Sequence, residues 1–275
     1  FSISREDSEE FSGFVVSLGA LGVFTKLRLK IVESFSIKQF VYENIGIQSI
    51  AENFDAVFDK AYSVSYFSNW KKNTTGQIWM KFLDDNNLPQ LPTVWLDGNI
   101  ANAKQHPVKV NDPSPCTDQM GISGKWLYRL PHFKLDSSPA SGDEVQTEYL
   151  VDRSHVSEYI AELSNIGDEI SERVYATEIR TIKSDDLWLS GAYERQTVGF
   201  HFTWKKSDSL ATFLPKIEEI LGKHDGRPHW GKLFSTPREE LAGRYPKYSS
   251  FEELLKKYDP SKKFRNSFIN RLNWL

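Results

Sequence analysis

The stretch TVGFHFTW, residues 197–204, carries two patterns at once. Successive side chains of an extended chain point to opposite faces, so Val198, Phe200, Phe202 and Trp204 share one side and Gly199, His201 and Thr203 the other. Two phenylalanines and a tryptophan in line are costly to leave in water, so their side must pack against helices. His201 and Thr203 then face away from those helices. Upstream, VYATEIRTI (174–182) puts Glu178 and Arg180 on one side and Thr177, Ile179 and Thr181 on the other. Strands adjacent in sequence tend to be neighbours in space. Pairing these two antiparallel gathers Glu178, Arg180, His201 and Thr203 into one polar patch on the open face of a sheet.

Working outward, EVQTEYLV (144–151) predicts a further strand. It is followed by a helix opened by Asp152 or Ser154 as N-cap and striped with Val156, Tyr159, Leu163, Ile166 and Ile170. After the two central strands, SDSLATFLPKIEEILGKHDG (207–226) predicts a second helix, with Gly222 or Gly226 placed to end it. RPHWGKLF (227–234) then predicts a last strand that brings Lys232 toward the patch, with Trp230 packed beneath it. The order strand, helix, strand, strand, helix, strand is that of a ferredoxin-like unit. Residues 36–83 offer most of the same order: strand, helix striped with Ile47, Ile50, Ala51, Phe54, Val57 and Phe58, strand, strand. The expectation is an α+β fold in which duplicated ferredoxin-like units share one large antiparallel sheet flanked by helices on one face.

The remaining segments are less regular. Residues 9–17 predict a short helix, Gly19 and Gly22 a tight turn, and VFTKLRLKIV (23–32) a strand with Val23, Thr25, Leu27, Leu29 and Ile31 on one face. Residues 84–142 are rich in Pro, Asn, Asp and Gly, and the aromatics Trp95, Trp126, Tyr128 and Phe133 argue that this irregular stretch is packed. From 236 the tail is helical, with Ser250 and Glu253 as a capping box, Asp259 and Pro260 as a stop, and apolar residues packed to the end.

Composition narrows the function. With 34 Lys plus Arg against 37 Asp plus Glu, no nucleic acid partner and no anionic membrane is expected, and no apolar run is long enough to span a bilayer. No protein partner is predicted. The single cysteine, Cys116, excludes an intrachain disulfide framework and favours a reducing, cytoplasmic setting. The six histidines include no pair at helical ligand spacing beside a carboxylate, so no metal site is expected. No GxSxG, Walker or GxGxxG motif occurs. What stands out is the patch: a carboxylate, a guanidinium, an imidazole, a hydroxyl and the ammonium of Lys232 supply many donors and acceptors with little apolar area. Such a set suits a polyhydroxylated ligand, and would equally serve as a solvated face with a Glu and Arg ion pair.

Several motifs in order, SLGALGVFTKLRL (17–29), AYSVSYFSNW (61–70), LPHF (130–133), SSPASGDEVQTEYLV (137–151), TEIRTI (177–182), FHFTW (200–204), RPHWGK (227–232) and DPSKKFRNSF (259–268), resemble the alditol oxidases. More distantly they resemble the aldonolactone oxidases of the same vanillyl-alcohol oxidase flavoprotein superfamily. The resemblance implies three parts: residues 1–35 as the end of an FAD-binding domain, 36–225 as a substrate-binding cap domain, and 226–275 as a return segment toward the flavin. It implies FAD as cofactor, held mainly by a domain outside this chain, and a polyol and O₂ as small-molecule partners, with xylitol or sorbitol oxidised at a terminal hydroxyl to an aldose and hydrogen peroxide. It assigns substrate contact to Glu178, Arg180, His201, Thr203 and Lys232, catalysis to Lys232, Arg180 and Glu178, and cofactor contact to Gly19, Gly22, Val23 and Lys232. The alternatives are oxidation of a sugar lactone, or a polyol-binding remnant without turnover.

Overall fold

A computed structural model of the chain describes residues 1–6, 8–137 and 143–272. The end of the irregular stretch (138–142) and the last three residues (273–275) lie outside the described residues. Ten strands form one sheet: β1 (Ser36–Ile45), β2 (Ser63–Ser68), β3 (Gly76–Leu83), β4 (Val94–Trp95), β5 (Gly98–Ile100), β6 (Gly124–Lys125), β7 (Glu144–Asp152), β8 (Val174–Ile182), β9 (Thr197–Lys205) and β10 (Arg227–Pro228). Their spatial order is β10-β7-β9-β8-β2-β3-β1-β5-β4, with β6 on β1, and every pairing is antiparallel.

This order contains the expected duplication. In the second unit, the fourth strand lies beside the first and the third beside the second, β10-β7-β9-β8, with helices α4 (Val156–Asn165), α5 (Gly167–Arg173) and α6 (Ser209–Leu221) between them. In the first unit, β1, β2, β3 and β5 repeat the arrangement in mirror order, meeting the second unit along the β2 and β8 seam. Its first helix is split into α2 (Ile47–Glu52) and α3 (Phe54–Phe58) at Asn53, and an irregular segment stands where the second helix would be. The single helix expected after β7 is likewise divided. At Gly167 a Cβ would lie 2.2 Å from the Trp70 carbonyl oxygen, so only glycine lets the helix layer approach the chain there. Asp152 accepts a hydrogen bond from the Ser154 amide at 2.8 Å and so caps the turn that leads into α4.

The faces follow the two-residue period. Val198, Phe200, Phe202 and Trp204 are buried with Ile179, Tyr149 and Tyr66 beneath the helices, forming the larger core. Trp204 donates its indole proton to Thr147 at 2.9 Å, which satisfies the one polar atom that would otherwise be stranded there. The opposite face is covered over the first unit, where Val41, Phe67 and Trp79 pack with Cys116 and Phe133 of the irregular stretch; over the second unit His132 of that stretch reaches Glu178, and Gly191 lies against Leu150. That stretch is therefore packed as expected, although Trp126 and Tyr128 stay exposed.

A second core joins the two ends of the chain. Phe14 of α1 (Phe11–Val15), Ala20 and Leu21 pack with Leu189, Phe234 and the helices α7 (Arg238–Arg244), α8 (Tyr248–Tyr258) and α9 (Ser267–Arg271). Two expectations fail here. Residues 23–32 pair with no strand among those described, and Val23, Leu27, Leu29 and Ile31 are exposed, because no sheet edge lies alongside them. Helix α8 begins at Tyr248, two residues ahead of the expected cap, so Ser250 and Glu253 lie inside it and form no capping box.

Candidate functional site

Strand β9 runs between β7 and β8, and its register sets the geometry. His201 sits opposite Glu178 on one side and opposite Glu148 on the other, and Arg180 sits opposite Gly199. Thr203 lies opposite Ala176 and Gln146. All these side chains belong to the helix-free face. Gly199 is the gap in it: a Cβ there would stand 3.1 Å from Glu148 Oε1 and 3.5 Å from Arg180 Cγ. Across that gap Arg180 Nη2 donates to Glu148 Oε1 at 2.6 Å, spanning the intervening strand. Lys232 Nζ donates to the other oxygen, Oε2, at 2.8 Å. Glu148, only 2% exposed, is thus the anion that ties both expected cations together.

Glu178 is held from the other side. Ser65 of β2 donates to its Oε1 at 2.7 Å, His132 Nε2 lies 3.1 Å from the same oxygen, and Arg180 Nη1 is 3.5 Å from Oε2. Behind His132 stands Lys81 of β3, almost fully buried, which donates to the Leu130 carbonyl and lies 3.1 Å from His132 Nδ1. An ammonium has only donors, so Nδ1 must accept and the imidazole proton belongs on Nε2, from which it is donated to Glu178. The ordered chain Lys81, His132, Glu178 leaves Oε2 as the less occupied oxygen of the carboxylate.

Burial and charge act against each other at the two carboxylates, while at the two histidines a neighbouring lysine adds to burial. For Glu178 burial favours the neutral acid, but the hydrogen bond from His132, the charge of Arg180 and the Ser65 hydroxyl outweigh it and hold the group as a carboxylate. Glu148 follows the same pattern, with burial overcome by Arg180 and Lys232. Burial lowers Lys81 to about 8, with Glu178 pulling upward and Arg180 downward. Burial, then the neighbouring Lys81 charge, lowers His132. Burial, then Lys232, lowers His201 to about 4. His201 is therefore a neutral imidazole at pH 7, and its Nε2 is buried without a hydrogen-bond partner among the described residues. Two carboxylates interleaved with cations, beside a neutral imidazole lacking a partner, make a surface able to both give and take hydrogen bonds.

The structure brings together Glu178, Arg180, His201, Thr203 and Lys232, but two details differ from expectation. Lys232 arrives from a turn rather than a strand: β10 ends at Pro228, the Lys232 amide donates to the His229 carbonyl at 3.1 Å, and Leu233 rejoins β7 through Gln146 O at 3.0 Å. Trp230 does not pack beneath Lys232. It stacks on Tyr245 with ring centroids 4.8 Å apart and donates to Leu189 O at 2.7 Å, as part of the second core. Gly19 and Gly22 adopt φ of 74° and 131°, with open space where a Cβ would stand on Gly19, and Val23 beside them is exposed.

Glu148, Ser65, Lys81 and His132 escaped the sequence reading. The same alternation that exposed Glu178 places Glu148 in EVQTEYLV and Lys81 in GQIWMKFL on the open face, so those two were within reach. His132 lies in irregular chain, where no period marks it. The patch stands on an open face. Two surface clefts lie elsewhere, one of about 860 Å³ beside Phe54, Arg153 and Gln196, another of about 500 Å³ beside Pro215 and Thr236.

Sequence comparison bears on the same face. Residues 142–272 match the family model for D-arabinono-1,4-lactone oxidase. This lactone-oxidase match spans all of β7, β8 and β9 and so carries Glu148, Glu178, Arg180, His201, Thr203 and Lys232. The whole chain is similar to an alditol oxidase of Streptomyces sp., 37% identical over 95% of this chain and 62% of that protein, as the motifs led one to expect. It is also similar to the L-gulono-1,4-lactone dehydrogenase of Mycobacterium tuberculosis, 22% identical over 98% of this chain and 65% of that protein. The L-gulonolactone oxidase of Mus musculus is 25% identical over 46% of this chain and 30% of its own length. The chain thus spans less than two thirds of the relatives it matches. Among solved structures, GilR, an oxidoreductase of gilvocarcin biosynthesis, aligns over 85% of this chain and 56% of its own with a TM-score of 0.47 and 10% identity. Among the described residues no helix is long and apolar enough to cross a membrane.

Proposed function

We propose that this chain is the substrate-binding part of an FAD-dependent alditol oxidase. The observation that carries the reading is the convergence of Glu178, Arg180, His201 and Lys232 on one face, with Glu148 and Ser65 holding them in place. A polyol presents neighbouring hydroxyls, each a donor and an acceptor, and this face offers both within one hydrophilic array. Glu178 Oε2 accepts from one hydroxyl while His132 and Ser65 keep Oε1 engaged. Lys232 and Arg180 donate to oxygens of the reacting end, and Glu148 keeps both cations oriented at no net cost in charge. His201 Nε2 and the Thr203 hydroxyl hold the far end and so limit chain length.

The chain's fit to FAD rests on its N-terminal segment. Gly19 and Gly22 give a bare, positive-φ backbone against which a flat group can lie, bordered by Val23; Lys232 is the residue of the patch assigned to meet the same group. When bound, FAD supplies hydride acceptance from the terminal carbinol, with O₂ as final acceptor giving hydrogen peroxide. The exposed alternation of Val23, Leu27, Leu29 and Ile31 supports assigning residues 1–35 to the C-terminal end of a flavin-binding domain; residues 36–225 then make a substrate domain and 226–275 a return segment.

A second reading, sugar-lactone oxidation, is favoured by the family model's own description. Both are tested by O₂ uptake of protein produced with its flavin-binding part. Faster turnover of xylitol or sorbitol than of an aldonolactone supports the first reading. A preference for lactone, or no uptake with either, overturns it.

A further inference from the structure

On the helix side of the second unit, remote in the fold from the open face, His155 and Glu158, three residues apart, converge with His224, which no spacing in the sequence connects to them. His155 ends the short turn leading into α4, Glu158 lies on the first turn of that helix, and His224 lies in the turn 223–225 that follows α6. His224 Nε2 is 3.1 Å from Glu158 Oε2, and His155 Nδ1 is 3.8 Å from the same oxygen. The three ligand atoms all lie within 4.8 Å of one another. The two imidazoles are stacked, 3.7 Å between centroids and 2° from parallel.

We propose that His155, Glu158 and His224 form a binding site for a zinc-class divalent transition metal. In a tetrahedral site with bonds near 2.0–2.1 Å, neighbouring ligand atoms stand about 3.3 Å apart. The two imidazole–carboxylate separations of 3.1 and 3.8 Å bracket that edge, and the third, between the two imidazoles, is within 4.8 Å, so the site closes by side-chain rotation without backbone movement. The rings must swing from parallel for both lone pairs to meet one ion. The side chains are 39%, 46% and 38% exposed, with His224 edge-on to Tyr159 at 6.1 Å between ring centroids, and a fourth position stays open to water.

The donor set selects the metal. Two neutral imidazoles and one carboxylate suit zinc, copper or nickel, whereas magnesium and calcium require oxygen ligands throughout. In the turn, His224 (φ 47°, ψ 42°) and Asp225 (φ 58°) both take left-handed backbone, uncommon for residues other than glycine, and the His224 ring reaches back to Glu158 of α4. A bound ion clips the start of α4 to the end of α6, the two helices that cover the second unit. Because only the folded chain brings the three ligands together, the metal raises its stability.

The test uses tag-free protein stripped with EDTA, titrated calorimetrically with ZnCl₂ and, as control, MgCl₂, with Tm measured in parallel. One Zn²⁺ per chain is expected, with a rise in Tm, and no response to Mg²⁺. His224→Ala and Glu158→Gln should each abolish the heat and the Tm rise while leaving the Tm of the EDTA-treated protein near that of wild type. X-ray absorption of the zinc-loaded wild type should show two imidazoles in the coordination shell, a readout that holds even if a variant folds poorly. Absence of stoichiometric binding, binding that survives both substitutions, or a shell without imidazole overturns the proposal.

Discussion

Replacing Glu148 by Gln keeps the size of the side chain, removes its charge and turns one of its two acceptor oxygens into a donor facing Arg180 or Lys232, which makes it the sharpest probe of the open face. Glu148 is 2% exposed, with Arg180 at 2.6 Å and Lys232 at 2.8 Å. Breaking a buried ion pair from one side costs about 3–5 kcal/mol, because the partner's charge is left uncompensated. Here the loss is moderated: Arg180 keeps Glu178 at 3.5 Å and is 38% exposed, and Lys232, 17% exposed, has a route to water. The expected destabilisation is therefore roughly 2–3 kcal/mol, which corresponds to a fall in Tm of about 4–12 °C for a chain of this size. Urea unfolding followed by tryptophan fluorescence reads it as a lower midpoint with an unchanged slope. Lys232→Met made in the Glu148→Gln background should add far less than Lys232→Met alone, with a coupling of about 1–3 kcal/mol. A Glu148→Gln protein within about 0.5 kcal/mol of wild type, or strictly additive variants, refutes the view that Glu148 organises the two cations.

Three further outcomes follow from the same geometry. Gly199→Val puts a branched side chain where Arg180 crosses to Glu148, so it should destabilise the chain by about 1–3 kcal/mol and abolish polyol binding, measured by calorimetry. Glu148 and Glu178 are held below the ordinary carboxylate range, so their contribution is present above about pH 4.5 and is lost as pH falls through their folded values; acid unfolding curves should show less of this loss in Glu178→Gln. Lys81 is lowered from 10.5 to about 8, so between those values the unfolded chain binds more protons and stability rises with pH, by at most about 3 kcal/mol; Lys81→Met should remove that rise.

How much of this was legible in the sequence depends on whether a period marks it. The faces of β8 and β9 follow from alternation alone, since Phe200, Phe202 and Trp204 have nowhere to go but beneath helices, and His201 and Glu178 then share the other side. The ferredoxin-like order followed from counting elements. Residues 23–32 alternate just as well, yet make no ladder, because a strand needs a partner edge and local pattern cannot supply one. Ser250 looked like a cap from its spacing to Glu253, but packing of Tyr248 and Phe251 into the second core starts the helix earlier. His132 is positioned by an irregular segment folded over the first unit, and the His155 and His224 pair by two turns 69 positions apart in the chain, so neither leaves a local signal. No period marks the turn at His229, which takes Trp230 onto Tyr245 in the second core rather than beneath Lys232.

The most direct measurement is a crystal structure of the protein, with its flavin-binding part, soaked in xylitol. Hydroxyl oxygens of the polyol are predicted within hydrogen-bond distance of Glu178, Arg180, His201 and Lys232, with His201 Nε2 gaining the partner it lacks. Xylitol seated away from β8 and β9, with the Glu148 ion pairs unchanged and His201 untouched, would contradict the account.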